Sequence, residues 1–306
     1  MLNGTHSYIE DDRNKNIKIY INGAIVSRSE ASISVFDSGF LLGDGIWEGI
    51  RFLNGGLVSI DEHLNRLFFG AKKLDIEIGC SKKQLVEIIN KTLIANNMQS
   101  DVHIRLIISR GLKKTPYQHP NATIKGSTIV VIPEYKKADK TINKNGINLV
   151  TVDTRRGTPY TQDPRLNTLS KINCILACIE ADKAGADEGI MLDINGNVST
   201  CNSTNFFIVR KGEVWTSTGK YCLPGVTRKM VIDICKEQSI PIFEKDFSIE
   251  DVHTSDEAFV TGTFAGIIPA INIDGYKISN GKRGKLSYSL QKYHAKKLIK
   301  LYPKTY

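Results

Sequence analysis

Two short segments have the composition of turns that bind an anion through their backbone. Leu223-Pro-Gly-Val-Thr-Arg228 places a Pro-Gly turn directly before a predicted helix, and the free N–H groups and positive dipole at a helix start attract phosphate. Thr261-Gly-Thr-Phe-Ala-Gly266 follows a predicted strand and is rich in hydroxyl groups and glycine, so it offers further donors. Ordinary turns have the same composition, so either segment alone is only a weak indication of a phosphate site.

Apolar periodicity predicts the elements of the first half of the chain. Residues 17–26 alternate on both sides of an Asn-Gly pair, which is a strong hairpin signal. Helical spacing is found at 60–74, with acidic residues in the first turn, and again at 82–96. The remaining predictions are a loop at 32–45 and strands at 46–53, 102–109 and 127–133.

A charged, apolar-poor run at residues 134–146 predicts a linker between two domains, 1–133 and 147–306. Beyond it, helices and strands alternate without a regular period, which favours two α+β domains over a doubly wound sheet. The predicted elements are strands at 147–153 and 257–261, helices at 170–183 and 226–237, and a strand pair, 188–193 with 206–209, across the turn Asn195-Gly196.

Composition excludes several classes of protein. Hydrophobic content of 41% and charged content of 24% are ordinary for a globular protein, and no apolar run is long enough to span a bilayer. The six cysteines form no CxxC pair and no metal-ligand spacing, so free thiols in a reducing cytoplasm and no metal are expected. The polar residues 1–16 show no secretory signal. The net charge of +9 is densest near the C-terminus, where an amphipathic helix explains it better than nucleic-acid binding.

Several ordered motifs resemble the class IV aminotransferases, which are fold-type IV pyridoxal-phosphate enzymes. The similarity covers nearly the whole chain and implies a smaller N-terminal α/β domain and a larger C-terminal pseudo-barrel domain. The family includes branched-chain and D-amino-acid aminotransferases and aminodeoxychorismate lyase. The matching segments are Phe40-Leu-Leu-Gly-Asp-Gly-Ile-Trp-Glu-Gly-Ile-Arg51, Asp61-Glu-His-Leu-Asn-Arg-Leu67, residues 163–173, 186–198 and 205–207, Leu223 to Arg228 and Thr261 to Thr263.

The resemblance also implies how pyridoxal phosphate would be held. Arg66 falls where the family has an arginine on the cofactor phosphate, a role that suits a permanently charged, bidentate guanidinium. Val226, Thr227 and Thr263 fall where backbone or side-chain groups would complete the phosphate cup.

Three positions depart from the family pattern. Asn167 stands where the family has the lysine that forms the Schiff base with the cofactor, and a carboxamide can neither form that bond nor carry its proton. Thr200 stands in place of the glutamate that pairs with the protonated pyridine nitrogen, and Gly266 where branched-chain enzymes usually have glutamate. These departures place the differences where the chemistry would occur.

Lys171 is the candidate replacement for the missing lysine. It occupies a position at which the family usually has a tyrosine, four residues after Asn167. If the helix begins this early, residues 167 and 171 are one turn apart and project to the same side. The hypothesis is therefore that the Schiff-base lysine has moved by one turn; the alternative is an ordinary surface lysine on a helix.

Three residues are predicted to meet the substrate. By resemblance, Arg105 would bind the substrate carboxylate, His103 replaces a nearby tyrosine with a titratable group, and Trp47 would line the pocket. A surface charge and a core tryptophan are the alternatives for Arg105 and Trp47. The resemblance implies amino acids and 2-oxo acids as substrates, by default a branched-chain-like amino acid and 2-oxoglutarate, and a homodimer.

Three functions remain open from the sequence. The first is an atypical pyridoxal-phosphate-dependent aminotransferase that uses Lys171. The second is a lyase or elimination enzyme with the same fold and cofactor. The third is a pseudoenzyme that binds pyridoxal phosphate without a covalent link, or pyridoxamine phosphate, without turnover.

Overall fold

The computed structural model describes residues 4–303, and the chain forms two compact units. We call them the N-terminal unit (9–137, 166–171 and 302–303) and the C-terminal unit (4–8, 138–165 and 172–301). Two short strands, β1 (Tyr8–Ile9) and β8 (Lys137–Ala138), contain the points at which the chain first passes between the units.

The N-terminal unit is built on a six-stranded sheet in the order β3-β2-β7-β6-β4-β5. Its central strands alternate buried and more exposed side chains, so one face is apolar and packs in the core. The strands are β2 (Lys18–Ile21), β3 (Ala24–Ser27), β4 (Gly45–Leu53), β5 (Gly56–Leu57), β6 (Val102–Ser109) and β7 (Thr128–Tyr135).

Three helices accompany this sheet: α1 (Ser38–Leu42), α2 (Ile60–Lys73) and α3 (Lys82–Ala95). α2 carries Asp61 and Glu62 in its first turn, where the helix dipole favours them. α3 begins with a capping box in which Ser81 and Gln84 satisfy each other's backbone N–H groups. Leu64, Leu67, Leu85, Ile89 and Leu93 from α2 and α3 join the buried side chains of the sheet in one core.

The C-terminal unit contains a curled nine-stranded sheet in the order β11-β10-β9-β16-β15-β12-β13-β14, with β17 beside β16. The sheet is mixed, because β9 pairs in parallel with β10 and β16 while β15 is antiparallel to both its neighbours. The strands are β9 (Ile147–Thr151), β10 (Glu188–Leu192), β11 (Val198–Cys201), β12 (Asn205–Arg210), β13 (Glu213–Thr216), β14 (Ile242–Glu244), β15 (Glu257–Gly262), β16 (Gly266–Ile273) and β17 (Tyr276–Lys277).

The helices of this unit pack on both sides of its buried strands. They are α4 (Thr141–Asn145), α5 (Ile172–Lys183), α6 (Val226–Glu237), α7 (Ile249–His253) and α8 (Lys285–Leu301). α6 buries Val231, Ile234 and Cys235 against side chains of β12 and β15. Within residues 4–303, no helix has both the length and the apolar content needed to cross a membrane.

Most predicted elements are present, and four details differ. The predicted loop at 32–45 contains α1, and the helix predicted from 170 begins at Ile172. β10 pairs with β11 across the Asn195-Gly196 turn rather than with 206–209, which belong to β12 beside β13 and β15. The predicted linker 134–146 contains the end of β7, β8 and α4.

The predicted domain bounds also differ from those of the compact units. Residues 166–171 group with the N-terminal unit although they fall inside the predicted domain 147–306. The outer ends of the predicted domains, 1–3 and 304–306, lie outside the described residues.

Candidate active site

The turn at residues 166–171 lies on strand β4 of the N-terminal unit. The backbone N–H of Trp47 donates to the Asn167 carbonyl oxygen at 3.0 Å, and the backbone N–H of Leu169 donates to the Gly45 carbonyl oxygen at 2.9 Å. Between these two bonds, Ile46 and Thr168 form an antiparallel bridge. The backbone of this segment is therefore fixed like a short added strand, and its side chains have defined positions.

The Asn167 side chain is buried and bonded at both ends. Its Nδ2 donates to the Trp47 carbonyl oxygen at 2.7 Å, and its Oδ1 accepts from Lys171 Nζ at 3.0 Å. Only 6% of Asn167 is exposed. Asn167, predicted to stand at the family's lysine position, thus contacts Lys171 directly.

Lys171 reaches Asn167 by a route that the sequence analysis did not predict. The expected helical spacing is wrong, because α5 begins at Ile172 and Lys171 lies in the preceding turn. Lys171 is half-buried, and its Nζ lies 5.4 Å from the centre of the Trp47 ring. Lys171 therefore lies before α5 rather than on it.

The three predicted substrate residues lie on one face of the N-terminal sheet. Trp47 on β4 alternates away from the core face, and the β4–β6 register places Gly49 opposite Arg105 and Arg51 opposite His103. The Arg105 guanidinium stacks on Trp47, with Cζ 3.7 Å from the ring centre. A Cβ at Gly49 would lie 3.0 Å from His103 Cε1. Trp47 is therefore close to both the Lys171 amine and the Arg105 guanidinium.

Arg66 on α2 is held by an acid that the sequence analysis missed. Glu48 is fully buried on the core face of β4 and accepts from Arg66 Nε at 2.8 Å and Nη2 at 2.7 Å. The same carboxylate lies 2.7 Å from His63 Nδ1. His63 Nε2 is buried, and no hydrogen-bond partner for it is found among residues 4–303. A charged residue inside the apolar run of β4 was the signal that could have identified Glu48.

The charge state of Glu48 makes the stability of the N-terminal unit depend on pH. Burial alone would raise the pKa of Glu48, but the bonds and charge of Arg66 and then His63 outweigh it and lower the pKa below its ordinary 4.5. The ionised Glu48 carboxylate therefore contributes its full stabilisation above about pH 4.5, the pKa expected for this group in the unfolded chain. That contribution is lost as the pH falls through the lower pKa of the folded protein.

We expect urea unfolding of the wild type to show declining stability below pH 4.5, with a smaller decline in E48Q. Equal slopes in the two proteins would contradict this assignment.

In the C-terminal unit, the start of α6 has no side-chain cap. Gly225 precedes the helix, and no side chain caps it; the first helical bond is from the Lys229 N–H to the Gly225 carbonyl oxygen at 2.9 Å. The N–H groups of Val226 and Thr227 in the first turn are therefore free of helical partners. Arg228 points elsewhere, because its Nη2 donates to the Ser217 carbonyl oxygen and to Glu244.

Asn205 braces the turn before α6. Its Nδ2 donates to the Leu223 carbonyl oxygen at 3.0 Å, and β12 places it opposite Thr261 of β15. A Cβ at Gly225 would lie only 2.0 Å from Asn205 Oδ1. The two segments singled out from composition therefore meet at Asn205.

Replacing Gly225 by alanine is expected to destabilise the protein and to weaken phosphate binding. The new methyl group must displace the Asn205 side chain and with it the start of α6, at a typical overpacking cost of about 1–3 kcal/mol. Urea unfolding and titration with inorganic phosphate measure the two effects. Gly126, whose Cβ position has no atom within 4 Å and whose φ, like that of Gly225, is not positive, gives a control for an added methyl group without a close contact. A G225A protein as stable as G126A would be inconsistent with the close contact.

The residues near this turn differ in burial, hydrogen bonding and backbone conformation. Thr261 is 2% exposed, and its Oγ1 has no hydrogen-bond partner among the described residues. Thr263 is half-buried in the turn between β15 and β16. Gly266 begins β16 with a φ of +76°, a left-handed conformation that disfavours a glutamate there.

Thr200 is a buried hydroxyl whose proton is already used. Its Oγ1 donates to the Thr204 carbonyl oxygen at 2.7 Å, so only its acceptor lone pairs are left for another group. A protonated pyridine nitrogen would suit that acceptor, whereas an unprotonated one would not.

The residues of the C-terminal unit fit the phosphate of pyridoxal phosphate. The uncapped α6 start supplies backbone N–H groups and a positive dipole, and the unbonded Thr261 hydroxyl supplies a further donor. Val226 and Thr227 begin α6, as the sequence analysis required. That Arg66 and Thr263 contact the same phosphate stays a prediction.

The comparison with known families identifies the class of protein. Residues 45–273 match the model of the family Amino-transferase class IV. The chain belongs to the class IV aminotransferases.

Individual relatives agree with this assignment. Branched-chain-amino-acid aminotransferase-like protein 1 of Arabidopsis thaliana is 38% identical over 283 residues, which are 92% of this chain and 51% of the relative; the chain thus spans about half of that protein. D-alanine aminotransferase of Listeria monocytogenes is 29% identical over 93% of this chain and 97% of its own length. The crystal structure of the Escherichia coli branched-chain amino acid aminotransferase has a TM-score of 0.86 and 27% identity, covering 91% of this chain and 93% of that chain.

Proposed function

We propose that the protein is a pyridoxal-phosphate-dependent aminotransferase that moves an amino group from an amino acid to a 2-oxo acid with Lys171 as its reactive lysine. The observation that carries the proposal is the Lys171 amine held 3.0 Å from Asn167 Oδ1, on the sheet face that also presents Trp47 and Arg105. An amine, an aromatic wall and a guanidinium together suit an amino-acid substrate.

Pyridoxal phosphate, when bound, supplies an aldehyde that bonds to amines and a ring that withdraws electrons. The residues predicted to hold the phosphate are Arg66 in the N-terminal unit, whose guanidinium is oriented by Glu48, and Val226, Thr227 and Thr263 in the C-terminal unit. Thr200 would accept a hydrogen bond from the pyridine N–H. A neutral threonine stabilises positive charge on that nitrogen less than a glutamate would.

Lys171 Nζ would act as the nucleophile. The same amine would then accept a proton and return it. Asn167 cannot replace it, because a carboxamide nitrogen is neither basic nor nucleophilic at neutral pH. Arg105 would bind the substrate carboxylate through its N–H groups while Trp47 stacks on the guanidinium plane. His103 would add a titratable group nearby.

The substrate class, assembly and location are part of the proposal. A branched-chain-like amino acid and 2-oxoglutarate are the first pair to test, because the similar Escherichia coli structure is named for a branched-chain amino acid aminotransferase. A cytoplasmic homodimer is the form expected from the family resemblance.

The direct test is to find the residue that bonds the cofactor. The protein is purified with added pyridoxal phosphate, reduced with borohydride and digested. The masses of the peptides are then measured by mass spectrometry. We expect a pyridoxyl group on Lys171 and an absorbance band that shifts when amino acids are added. A covalent label on other lysines but not on Lys171 would overturn its assignment.

Two alternatives are distinguished by the same preparation. Thr200 is neutral, so it would make the cofactor ring a weaker acceptor of electrons than a glutamate would. A weaker electron acceptor favours an elimination enzyme over an aminotransferase. A 2-oxo acid formed without any amino acceptor would support that lyase. Cofactor bound without a covalent link, or as pyridoxamine phosphate, and no spectral response to amino acids would support a pseudoenzyme.

A further inference from the structure

We propose that Asn167 is a positioning residue that orients the Lys171 amine. The inference rests on the proposed function for its chemical meaning, but its physical content concerns two side chains of the N-terminal unit. Asn167 Oδ1 accepts from Lys171 Nζ at 3.0 Å, and this bond is the contact to be tested.

The orientation of the Asn167 carboxamide is determined by its surroundings. Its Nδ2 donates to the Trp47 carbonyl oxygen at 2.7 Å, while the Trp47 N–H donates to the Asn167 carbonyl oxygen at 3.0 Å. Turning the amide over would place Oδ1 against another acceptor and the NH₂ group against an amine. The contacts to Trp47 therefore direct the oxygen toward Lys171.

Burial gives this bond more weight than the same bond would have on the surface. Asn167 is 6% exposed, so water competes poorly for Oδ1. The chain offers a comparison in the same unit, because Lys82 Nζ also donates to an asparagine oxygen, that of Asn65, at an exposed position. The exposed pair should have little effect on its lysine.

The neutrality of asparagine suits an amine that must lose a proton. A carboxylate at 167 would favour the ammonium form, whereas an amide oxygen accepts from both the ammonium and the neutral amine. The charged group that shares the Trp47 ring with Lys171 in this unit is Arg105. The nearest acid along β4, Glu48, is bonded to Arg66 and His63 on the opposite face. The amide thus holds the amine without adding negative charge.

The test measures how readily Lys171 reacts, without relying on catalysis. Full-length protein freed of pyridoxal phosphate by hydroxylamine is treated with acetic anhydride between pH 6 and 11, and acetylation of each lysine is followed by peptide mass. The variants are N167D, which keeps the oxygen and adds charge, and N167L, which removes the oxygen at similar size. N65D and N65L, read at Lys82, are the matched controls.

We expect opposite shifts at Lys171. Half-maximal acetylation should move up by about one pH unit or more in N167D and down by about one unit in N167L, because the first variant stabilises the ammonium and the second removes its acceptor. Lys82 should move by less than half as much in its own pair of variants. If N167L does not fold, the upward shift in N167D still tests the contact.

An unchanged Lys171 profile in both folded variants, or shifts in the same direction, would overturn the positioning role. A merely structural asparagine would change the melting temperature of the protein but not this profile. Borohydride labelling of the same proteins with pyridoxal phosphate separates the two proposals. No label on wild-type Lys171 together with opposite acetylation shifts would reject the proposed lysine chemistry while supporting the role of Asn167.

Discussion

Replacing Lys171 by methionine is expected to remove covalent attachment of pyridoxal phosphate and to slow amino-group transfer at least about 100-fold. Methionine has a similar length and keeps an apolar stem beside Trp47, so the fold should be preserved. It has no amine to bond the cofactor or to carry a proton. The loss should therefore appear in chemistry rather than in stability.

Borohydride labelling, absorbance and transamination rates at saturating pyridoxal phosphate measure the effect. Lys183 lies exposed at the end of α5, and K183M is the matched control that should behave like the wild type. Retention of a label and of more than one-tenth of the activity in K171M would show that another amine performs the reaction.

Replacing Glu48 by glutamine should strongly destabilise the N-terminal unit. The variant keeps the shape of the side chain but leaves the Arg66 guanidinium and His63 beside a neutral, fully buried amide. Breaking a buried ion pair by removing one partner typically costs about 3–5 kcal/mol. Because Glu48 also orients Arg66, affinity for pyridoxal phosphate should fall with stability.

Urea unfolding and cofactor titration at pH 7 test both effects. Glu87 on the exposed side of α3 gives the control E87Q, which should change stability by less than about 0.5 kcal/mol. An E48Q protein within about 1 kcal/mol of the wild type would mean that the Glu48–Arg66 contact contributes little. Normal stability with weakened cofactor binding would assign Glu48 to orientation alone.

Local sequence signals predicted the elements in which apolar residues recur with the regular spacing of a strand or of a helix. The hairpin around Asn22-Gly23 is confirmed by the β2–β3 pairing, and α6 has the predicted bounds. α1 was missed because its five residues, capped by Asp37 and Gly43, are too few to show helical spacing. The partner of β10 was wrong because nearby β11 is short and polar, whereas the more apolar β12 looked like the better strand.

The candidate site was predicted in part, for reasons that differ between residues. Family motifs located Trp47 and Arg105, which the β4–β6 register brings to one face. Asn167 and Lys171 were expected to project to the same side of a helix, whereas their contact is made within an irregular segment before α5. Glu48 was missed because its role depends on α2, and periodicity along one strand cannot reveal which helix will cover it.

The position of the turn at 166–171 affects how the protein could be divided. These six residues add to β4 of the N-terminal unit, although 172–301 belong to the other unit. A fragment ending at residue 137 would leave Ile46 without its bridge partner Thr168 and the Trp47 carbonyl oxygen without the Asn167 donor. Separate expression of the two halves should therefore yield an N-terminal piece whose β4 regains these contacts only when a peptide containing 166–171 is supplied. For the same reason, recombination that exchanges one half between homologues must transfer this segment along with 9–137.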